Sequence, residues 1–203
     1  MSAFNSINHN GHEHLTKKKE RKTDRRTLYT RMVIKDAFLK LKSSLAYNDI
    51  TISKICTEAE ISRGTFYLHY DNIRQVLDEV LDDALKSVHG PVGLLEPDNG
   101  TEECSSQPLC LFLRENKMYQ SVFFDDGLYT AVVDRFAAAA KDVFVKKMLE
   151  RASITKDSCE AMFYFQISGC LAVCKRNIGR EDSLWCGIQC VIDRMLREGL
   201  KKI

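Results

Sequence analysis

The chain lacks long apolar runs and is poor in the residues that interrupt regular structure. Its purely apolar stretches are as short as the one over 136–140, far below the roughly 20 residues that cross a bilayer. Three prolines and ten glycines in 203 residues exclude a collagen-like or low-complexity chain. Residues 1–15 contain no apolar segment, so we expect no signal peptide, no membrane contact and a cytoplasmic location.

Eight cysteines are present, but no Cys-x-x-Cys pair. In a reducing compartment they are expected to be free thiols. Cys170/Cys174 and Cys186/Cys190 are each spaced i, i+4, so each pair lies on one helical face. A four-thiolate zinc site, a redox switch and interior packing are the alternatives, and the apolar neighbours favour packing.

Motifs that pair a nucleophile with a base are also missing. No His-Glu-x-x-His motif and no Gly-rich phosphate loop occurs, and nothing pairs the cysteines with the five histidines. The sequence therefore predicts that the chain is not an enzyme, with no catalytic residue, no cofactor and no metal site.

The charge is divided unevenly along the chain. Residues 1–70 hold 13 Lys and Arg against 7 Asp and Glu, whereas residues 71–203 hold 17 against 21. We interpret residues 1–23 as a disordered basic tail, and the seven basic residues within 17–26 as either a solvated helix start or an arm on phosphate. A basic N-terminal third on an acidic remainder indicates a polyanion bound at one end.

Apolar residues at helical spacing predict four helices within a domain over 24–88. The first extends from Thr30 to near Leu45. Thr51 is placed to cap the second, Ser62 caps a third over 63–69, and Asp71 or Asn72 caps a fourth that ends near residue 88. Phe66 and Tyr70 are the expected inward anchors of the third helix.

The second and third of these helices have the arrangement of a helix-turn-helix. Two short helices joined by a tight turn allow one to brace on the DNA backbone while the next enters the major groove. The third helix of the domain begins with Ser62-Arg63-Gly64-Thr65, and the small side chains in this run allow its backbone to approach phosphate closely. Gly64 in an exposed helical turn costs about 0.5 to 1 kcal/mol relative to Ala, which suggests such an approach. A small helical bundle with incidental polar residues is the alternative.

The segment from Ile50 to Tyr70, which includes the run Thr65-Phe66-Tyr67-Leu68-His69-Tyr70, resembles the helix-turn-helix signature of the TetR/AcrR family of transcriptional regulators. The resemblance covers roughly residues 26–85. Asp24-Arg25-Arg26 and the helix over 31–41 resemble in particular the branch that includes regulators of dihydroxyacetone kinase genes.

Carried over to this chain, the resemblance implies a set of residues that contact DNA. They are Thr51, Ser53, Ser62, Arg63, Gly64, Thr65, Tyr67, Leu68 and His69. Two positions depart from the family pattern. Glu60 stands where glycine is frequent, which implies either a strained left-handed residue or a different turn, and Ile73 replaces a frequent phosphate-binding Lys, for which Arg74 or the basic arm could substitute.

The C-terminal part is predicted to be a helical domain over 109–203 that follows a linker over 89–108. Its helices are expected over 109–116, 118–123, 128–151, 156–178 and 183–202, with Thr155 and Asp182 as caps. The last two are apolar on more than one face, which predicts a homodimer through helices near 156–178 and 183–202. Aromatic side chains of this domain could line an effector cavity or fill the core, and none is assigned to a ligand.

These observations predict an all-α protein with an N-terminal helix-turn-helix domain and a C-terminal effector-binding and dimerisation domain. The function they favour is a ligand-responsive repressor that binds a palindromic double-stranded DNA operator as a homodimer and responds to an unidentified small molecule. The alternative is a TetR-like co-regulator or activator that has lost inducer or DNA contact and acts through protein partners.

Overall fold

The computed structural model describes residues 25–87 and 108–200, and within these ranges all regular structure is helical. The helices are α1 (Arg25–Lys42), α2 (Ile52–Glu58), α3 (Arg63–Tyr67), α4 (Ile73–Ser87), α5 (Pro108–Glu115), α6 (Lys117–Phe123), α7 (Tyr129–Arg151), α8 (Lys156–Asn177) and α9 (Asp182–Leu200), with a 3₁₀ turn at Tyr47–Asp49. The predicted all-α fold is confirmed. Within the described ranges, no helix has the length and apolar character needed to span a membrane.

Four of the predicted N-caps are present, including that of Ser62 before α3. The hydroxyl of Thr51 accepts a hydrogen bond from the backbone N–H of Lys54 at 3.3 Å, and that of Thr155 accepts one from Ser158 at 3.2 Å. Of the two candidates before α4, Asn72 is the cap, since its Oδ1 accepts from the N–H of Gln75 at 3.0 Å. Each cap satisfies a backbone donor that the first helical turn leaves free, and so determines where the helix begins.

Several predicted helix ends are wrong. Helix α1 covers Arg25–Lys42 rather than the span from Thr30 to near Leu45. Its start was placed too late because the first turn is exposed and carries no apolar periodicity. Asp182 is the first residue of α9 and pairs with Arg114 instead of capping the helix. Pro108, assigned to the linker, opens α5, where its missing N–H costs no helical hydrogen bond. The predicted tail over 1–23 and the rest of the linker lie outside the described residues.

One continuous apolar core joins the two parts of the chain. In α4 the apolar residues at helical spacing face the core: Ile73 is partly buried, and the fully buried ones are Val76, Leu77, Val80, Leu81, Ala84 and Leu85. Phe38 of α1 and Phe136 of α7 belong to the same cluster of buried side chains. Helices α1 and α4 therefore pack both within the N-terminal region and against the C-terminal helices.

Ion pairs reinforce this junction. Lys42, at the end of α1, is only 6% exposed, and its Nζ lies 2.6 Å from Asp125 Oδ2 in the turn between α6 and α7. Burial tends to raise the pKa of Asp125, but the Lys42 ammonium and the backbone N–H groups of the turn lower it below its usual value. Arg135 of α7 pairs with Asp82 of α4, with Nε 2.6 Å from Oδ1. Each of these two ion pairs thus joins a helix of the N-terminal region to the C-terminal region.

The zinc-site alternative for the cysteines concerns the described residues of α8 and α9. Within the described residues, no group of three or more Cys, His, Asp or Glu side chains is arranged to hold a metal ion. Cys56, Cys159 and Cys174 are free thiols. Cys190 is disulfide-bonded, which corrects the expectation that all the cysteines are free.

Candidate nucleic-acid interface

Helix α3 is a short helix set on the surface by one cap and one buried ring. Ser62 Oγ accepts the backbone N–H of Thr65 at 3.0 Å and lies 2.9 Å from the Thr65 hydroxyl, so the two side chains close the first turn. Phe66 is fully buried, and Tyr70 just beyond the helix is buried as well, as predicted. With Phe66 directed into the core, the rest of this five-residue helix faces outward.

The predicted DNA-contacting residues lie together on this outward side. Those on or next to α3 are Ser62, Arg63, Gly64, Tyr67 and Leu68, which are exposed, and Thr65 and His69, which are half-buried; Thr51 and Ser53 at the start of α2 are exposed. Leu68 is 83% exposed. The surface combines a cation, hydroxyl groups and an apolar side chain.

The structure shortens the recognition helix relative to the prediction over 63–69. Helix α3 ends at Tyr67, Leu68 is its C-cap, and the N–H of His69 bonds to the Phe66 carbonyl at 2.9 Å in a tighter turn. Leu68 and His69 therefore lie at the end of the helix rather than within it. The tightening arises because Tyr70 must reach the core two residues later.

Gly64 is not required by the protein's own packing. A Cβ added there would meet only Ser62 Oγ at 3.6 Å, which is ordinary van der Waals contact. Since alanine would favour the helix, the absence of a side chain costs stability with no internal benefit. This supports the interpretation that Gly64 allows another molecule to approach the backbone.

The turn between α2 and α3 is a Schellman motif with a glutamate in place of the usual glycine. The N–H of Ile61 bonds to the Cys56 carbonyl at 3.0 Å, and that of Glu60 bonds to the Thr57 carbonyl at 3.2 Å. Glu60 has φ 52°, in the left-handed region. Of the two alternatives, the strained left-handed residue is therefore the one present, and the helix-turn-helix keeps its usual geometry.

A polar network beneath α3 connects it to α1 and α4. Tyr70 Oη donates to Glu79 Oε2 at 2.8 Å, and Arg31 donates from Nε to the same oxygen at 3.0 Å. Lys35 Nζ lies 3.1 Å from Glu79 Oε1 and also pairs with Asp83. The Arg31 guanidinium lies 4.7 Å from the centre of the Tyr70 ring. The end of the recognition helix is thus anchored to both neighbouring helices.

The pKa values within this network follow from its contacts. Burial alone would raise the pKa of Glu79, but hydrogen bonds from Arg31, Tyr70 and Lys35 lower it to about 2. Burial and the hydrogen bond to Glu79 raise the pKa of Tyr70. Glu79 is therefore ionised and Tyr70 protonated at neutral pH, which is the combination that maintains the hydrogen bond between them.

Two residues were missed by the sequence analysis, one on the surface formed by α2 and α3 and one in the network beneath α3. Lys54, in the first turn of α2, is exposed, and its Nζ donates to the Asp49 carbonyl at 2.8 Å; its position three residues after the Thr51 cap was the available signal. Arg31 was not linked to Tyr70 because 39 residues separate them in the chain.

The departure at Ile73, at the start of α4, is also visible. Ile73 is half-buried against the core. Its uncharged side chain offers no cation to a phosphate. Arg74, offered as a substitute, is exposed, and its Nε is 3.0 Å from Asp78 Oδ1. An exposed ion pair of this kind is weak, so Asp78 does not prevent Arg74 from turning towards a phosphate.

Helices α8 and α9 each present a second apolar face. Phe163, Ile167 and Leu171 of α8 are buried, whereas Phe165 of the same helix is 71% exposed. On α9, Trp185 is buried, but Val191 is 70% exposed. A shallow surface groove on α9 is lined by Ser183, Leu184, Gly187, Ile188, Val191 and Ile192.

A helix-turn-helix of α2 and α3, braced by α1 and α4 and followed by a C-terminal helical region, defines an all-α helix-turn-helix protein. The chain shares this fold with the dihydroxyacetone kinase operon activator DhaS, with a TM-score of 0.51 and 19% identity over 87% of this chain and 98% of that one. The TetR family repressor AlkX from a Dietzia strain matches with a TM-score of 0.47 and 19% identity, over 82% and 97% of the two chains.

The sequence also matches an uncharacterised HTH-type transcriptional regulator of Bacillus subtilis, YxbF. The two are 39% identical over 66 residues, which is 32% of this chain and 17% of that protein. The match thus spans under a fifth of the relative. No protein-family model matches the chain. The fold shared with DhaS agrees with the fold that the resemblance of the motif implied.

Proposed function

We propose that this protein is a DNA-binding transcriptional regulator that recognises its operator through α3. The observation that carries the proposal is the outward face of α3, where Arg63, Gly64 and Tyr67 are exposed while Phe66 fixes the helix to the core. Arg63 can donate to a guanine edge or a phosphate, and the Tyr67 hydroxyl can donate to a phosphate oxygen. Thr51 and Ser53, on α2, would contact the adjacent backbone.

The regulator acts as a homodimer in this proposal. The exposed apolar side chains of α8 and α9 form a face that a second copy of the chain covers, and an isologous contact places two α3 helices in successive major grooves. A palindromic operator follows from that symmetry. The domain division at 24–88 and 109–203, the cytoplasmic location and an effector bound by the C-terminal helices belong to the same proposal. Repression is the outcome we expect.

The test begins with selection of binding sites from random double-stranded DNA. Arg63→Ala should then weaken binding to the selected site by about 1 to 3 kcal/mol relative to random DNA if Arg63 reads a base. An equal loss on every sequence would make Arg63 a phosphate contact. Arg151→Ala is the matched control, because Arg151 is an exposed arginine at the end of α7, outside the proposed DNA and dimer contacts, and should leave the affinity unchanged.

A co-regulator that works through protein partners is the second candidate. It is favoured by Ile73, which offers no cation to phosphate at the start of α4. Salt dependence separates the two functions, because contacts to phosphate release counterions and binding strengthens as salt is lowered. If no DNA is bound even at low salt, the DNA-binding proposal is wrong and the co-regulator is the better function.

A further inference from the structure

Two ion pairs attach α7 to the two helices that brace the recognition helix. Lys42 Nζ, at the end of α1, lies 2.6 Å from Asp125 Oδ2, and only 6% and 21% of the two side chains are exposed. Arg135 Nε, in the second turn of α7, lies 2.6 Å from Oδ1 of Asp82 on α4. The start of α7 is therefore attached to both α1 and α4.

Asp125 also closes the turn from which α7 begins. Its Oδ1 accepts a hydrogen bond from the Gly127 N–H at 2.7 Å while its Oδ2 contacts Lys42. The N–H of Leu128 bonds to the Asp125 carbonyl at 3.1 Å. Because the carboxylate is fixed to the first turn of α7, a movement of α7 must either separate Asp125 from Lys42 or carry α1 with it.

Helix α7 in turn packs along α8, which carries part of the apolar face assigned to the dimer. Phe144 of α7 and Phe163 of α8 are buried, and their ring centres lie 5.7 Å apart. Lys141 Nζ of α7 lies 3.3 Å from Oε2 of Glu160 on α8. Helix α7 thus stands between the helices that present the DNA-binding surface and the helices assigned to the dimer.

Two separated attachments fix an angle between two bodies, whereas a single one allows rotation. With a rise of about 1.5 Å per helical residue, Arg135 lies about 10 Å along α7 from the turn that contains Asp125. The apolar core at the same junction is non-directional and favours contact without selecting one register. A displaced Lys42 would leave a buried charge without its partner, which is costly, so the ion pairs select one arrangement.

The spacing of operator half-sites depends on this arrangement. In the proposed homodimer each α3 must reach its own major groove, and one additional base pair moves a half-site by about 3.4 Å and turns it by about 34°. We propose that the ion pairs Lys42–Asp125 and Arg135–Asp82 determine the half-site spacing that the dimer accepts. The inference rests on the proposed function and adds the positioning residues for one part of its specificity.

The test compares the affinity for one operator at several half-site spacings. The palindrome selected from random DNA is rebuilt with its half-sites closer together and farther apart, and binding to each is measured by fluorescence anisotropy. Wild type should prefer the selected spacing by about tenfold or more, since a dimer that cannot reach both half-sites loses the second contact. Lys42→Met/Asp125→Asn should reduce this preference by about fivefold or more and leave the affinity for a single half-site unchanged.

The double substitution removes both charges together, so neither is left buried without its partner. The introduced asparagine keeps an oxygen for the Gly127 N–H, so the turn before α7 is retained. Lys40→Met/Glu58→Gln is the matched control, because it breaks a lysine–carboxylate pair of 3.4 Å that lies wholly within the N-terminal region. It should leave the spacing preference unchanged, and a uniform loss of affinity cancels in the ratio between spacings.

A second pair of substitutions covers the case in which the first variant does not fold. Arg135→Met/Asp82→Asn removes the more exposed of the two contacts and should relax the spacing preference in the same direction, because both attachments are needed to fix the angle. Single half-site affinity and sedimentation as a dimer show that a variant is folded. A wild-type spacing preference in either folded variant would overturn the proposal.

A further measurement needs neither DNA nor the dimer. Spin-labelled non-canonical residues are placed at Leu68, beside α3, and at Val143, on α7, which are both exposed, and the labelled chain is diluted with unlabelled protein. Pulsed electron paramagnetic resonance should give one narrow distance distribution for wild type and a broader one for Lys42→Met/Asp125→Asn. A chain that binds no DNA but shows this broadening retains the positioning role and loses the proposed function. A chain that binds its operator, with variants that match wild type in both measurements, retains the function and loses this inference.

Discussion

Glu60 is a residue whose backbone conformation suits glycine better than glutamate. Its φ of 52° places Cβ close to the following carbonyl, at a cost of about 1 to 2 kcal/mol. Glu60→Gly removes that strain but makes the unfolded chain more flexible, so we expect a net gain in unfolding free energy of up to about 1 kcal/mol in urea denaturation. Glu58→Gly, at the last residue of α2, should lose up to about 1 kcal/mol. Equal losses for both would show that Glu60 is not strained.

Gly64 separates stability from function at a single position. Since a Cβ fits beside Ser62 Oγ, Gly64→Ala should raise the unfolding free energy by about 0.5 to 1 kcal/mol through its greater helix propensity. The same methyl group would stand between α3 and DNA, so operator affinity should fall. The two quantities are measured by urea denaturation and fluorescence anisotropy. A variant that gains stability and keeps full affinity would remove Gly64 from the interface.

At the scale of the element, the position of α3 depends on residues distant in the sequence, among them Glu79, which accepts the hydrogen bond of Tyr70 just beyond α3. Glu79 has a pKa of about 2 in the folded protein, below its ordinary value of 4.5. Its ionised form therefore stabilises the fold fully above about pH 4.5, and that stabilisation is lost as the pH falls towards 2. Glu79→Gln should cost about 1 to 3 kcal/mol at neutral pH, and the difference from wild type should shrink on acidification.

The control for Glu79 is Glu58→Gln, because Glu58 is an exposed carboxylate that lies 3.4 Å from Lys40. It should change stability little at any pH, since exposed ion pairs contribute little. Unfolding free energies measured from pH 7 to pH 2 test both variants. A constant difference between wild type and Glu79→Gln over that range would contradict the role assigned to the Glu79 carboxylate.

The elements that were predictable are those encoded locally. Thr51 and Ser62 each lie just before an apolar helical pattern, so their caps and helices could be inferred from a few neighbouring residues. The first turn of α1 could not, because it is polar and exposed. Lys42 is a lysine at a helix end, and its burial depends on Asp125, more than 80 residues away. Long-range ion pairs have no signature in local periodicity.

The candidate site divides in the same way. Its residue types and order are local, and the motif identified them. The network that anchors Tyr70 is assembled from three helices, so Arg31 and Glu79 could be assigned to it only once the packing was known.

At the scale of the whole molecule, the homodimer that we propose rests on the exposed apolar side chains of α8 and α9. Phe165 and Val191 are among them, and in the proposed dimer a second copy of the chain removes both from water. Replacing both residues by lysine in one variant places charge in the dimer contact. We expect the variant to sediment as a monomer at concentrations where the wild type is a dimer.

Loss of the dimer should affect DNA binding in a way that a misfolded chain would not. Two half-sites bound by one dimer reinforce each other, because the second contact is intramolecular. The Phe165→Lys/Val191→Lys variant should therefore lose affinity for the palindrome while retaining the weak affinity of the wild type for a single half-site. Leu28→Lys, which also charges an exposed apolar residue but on α1, should remain a dimer. A double variant that still sediments as a dimer would assign the contact to another face.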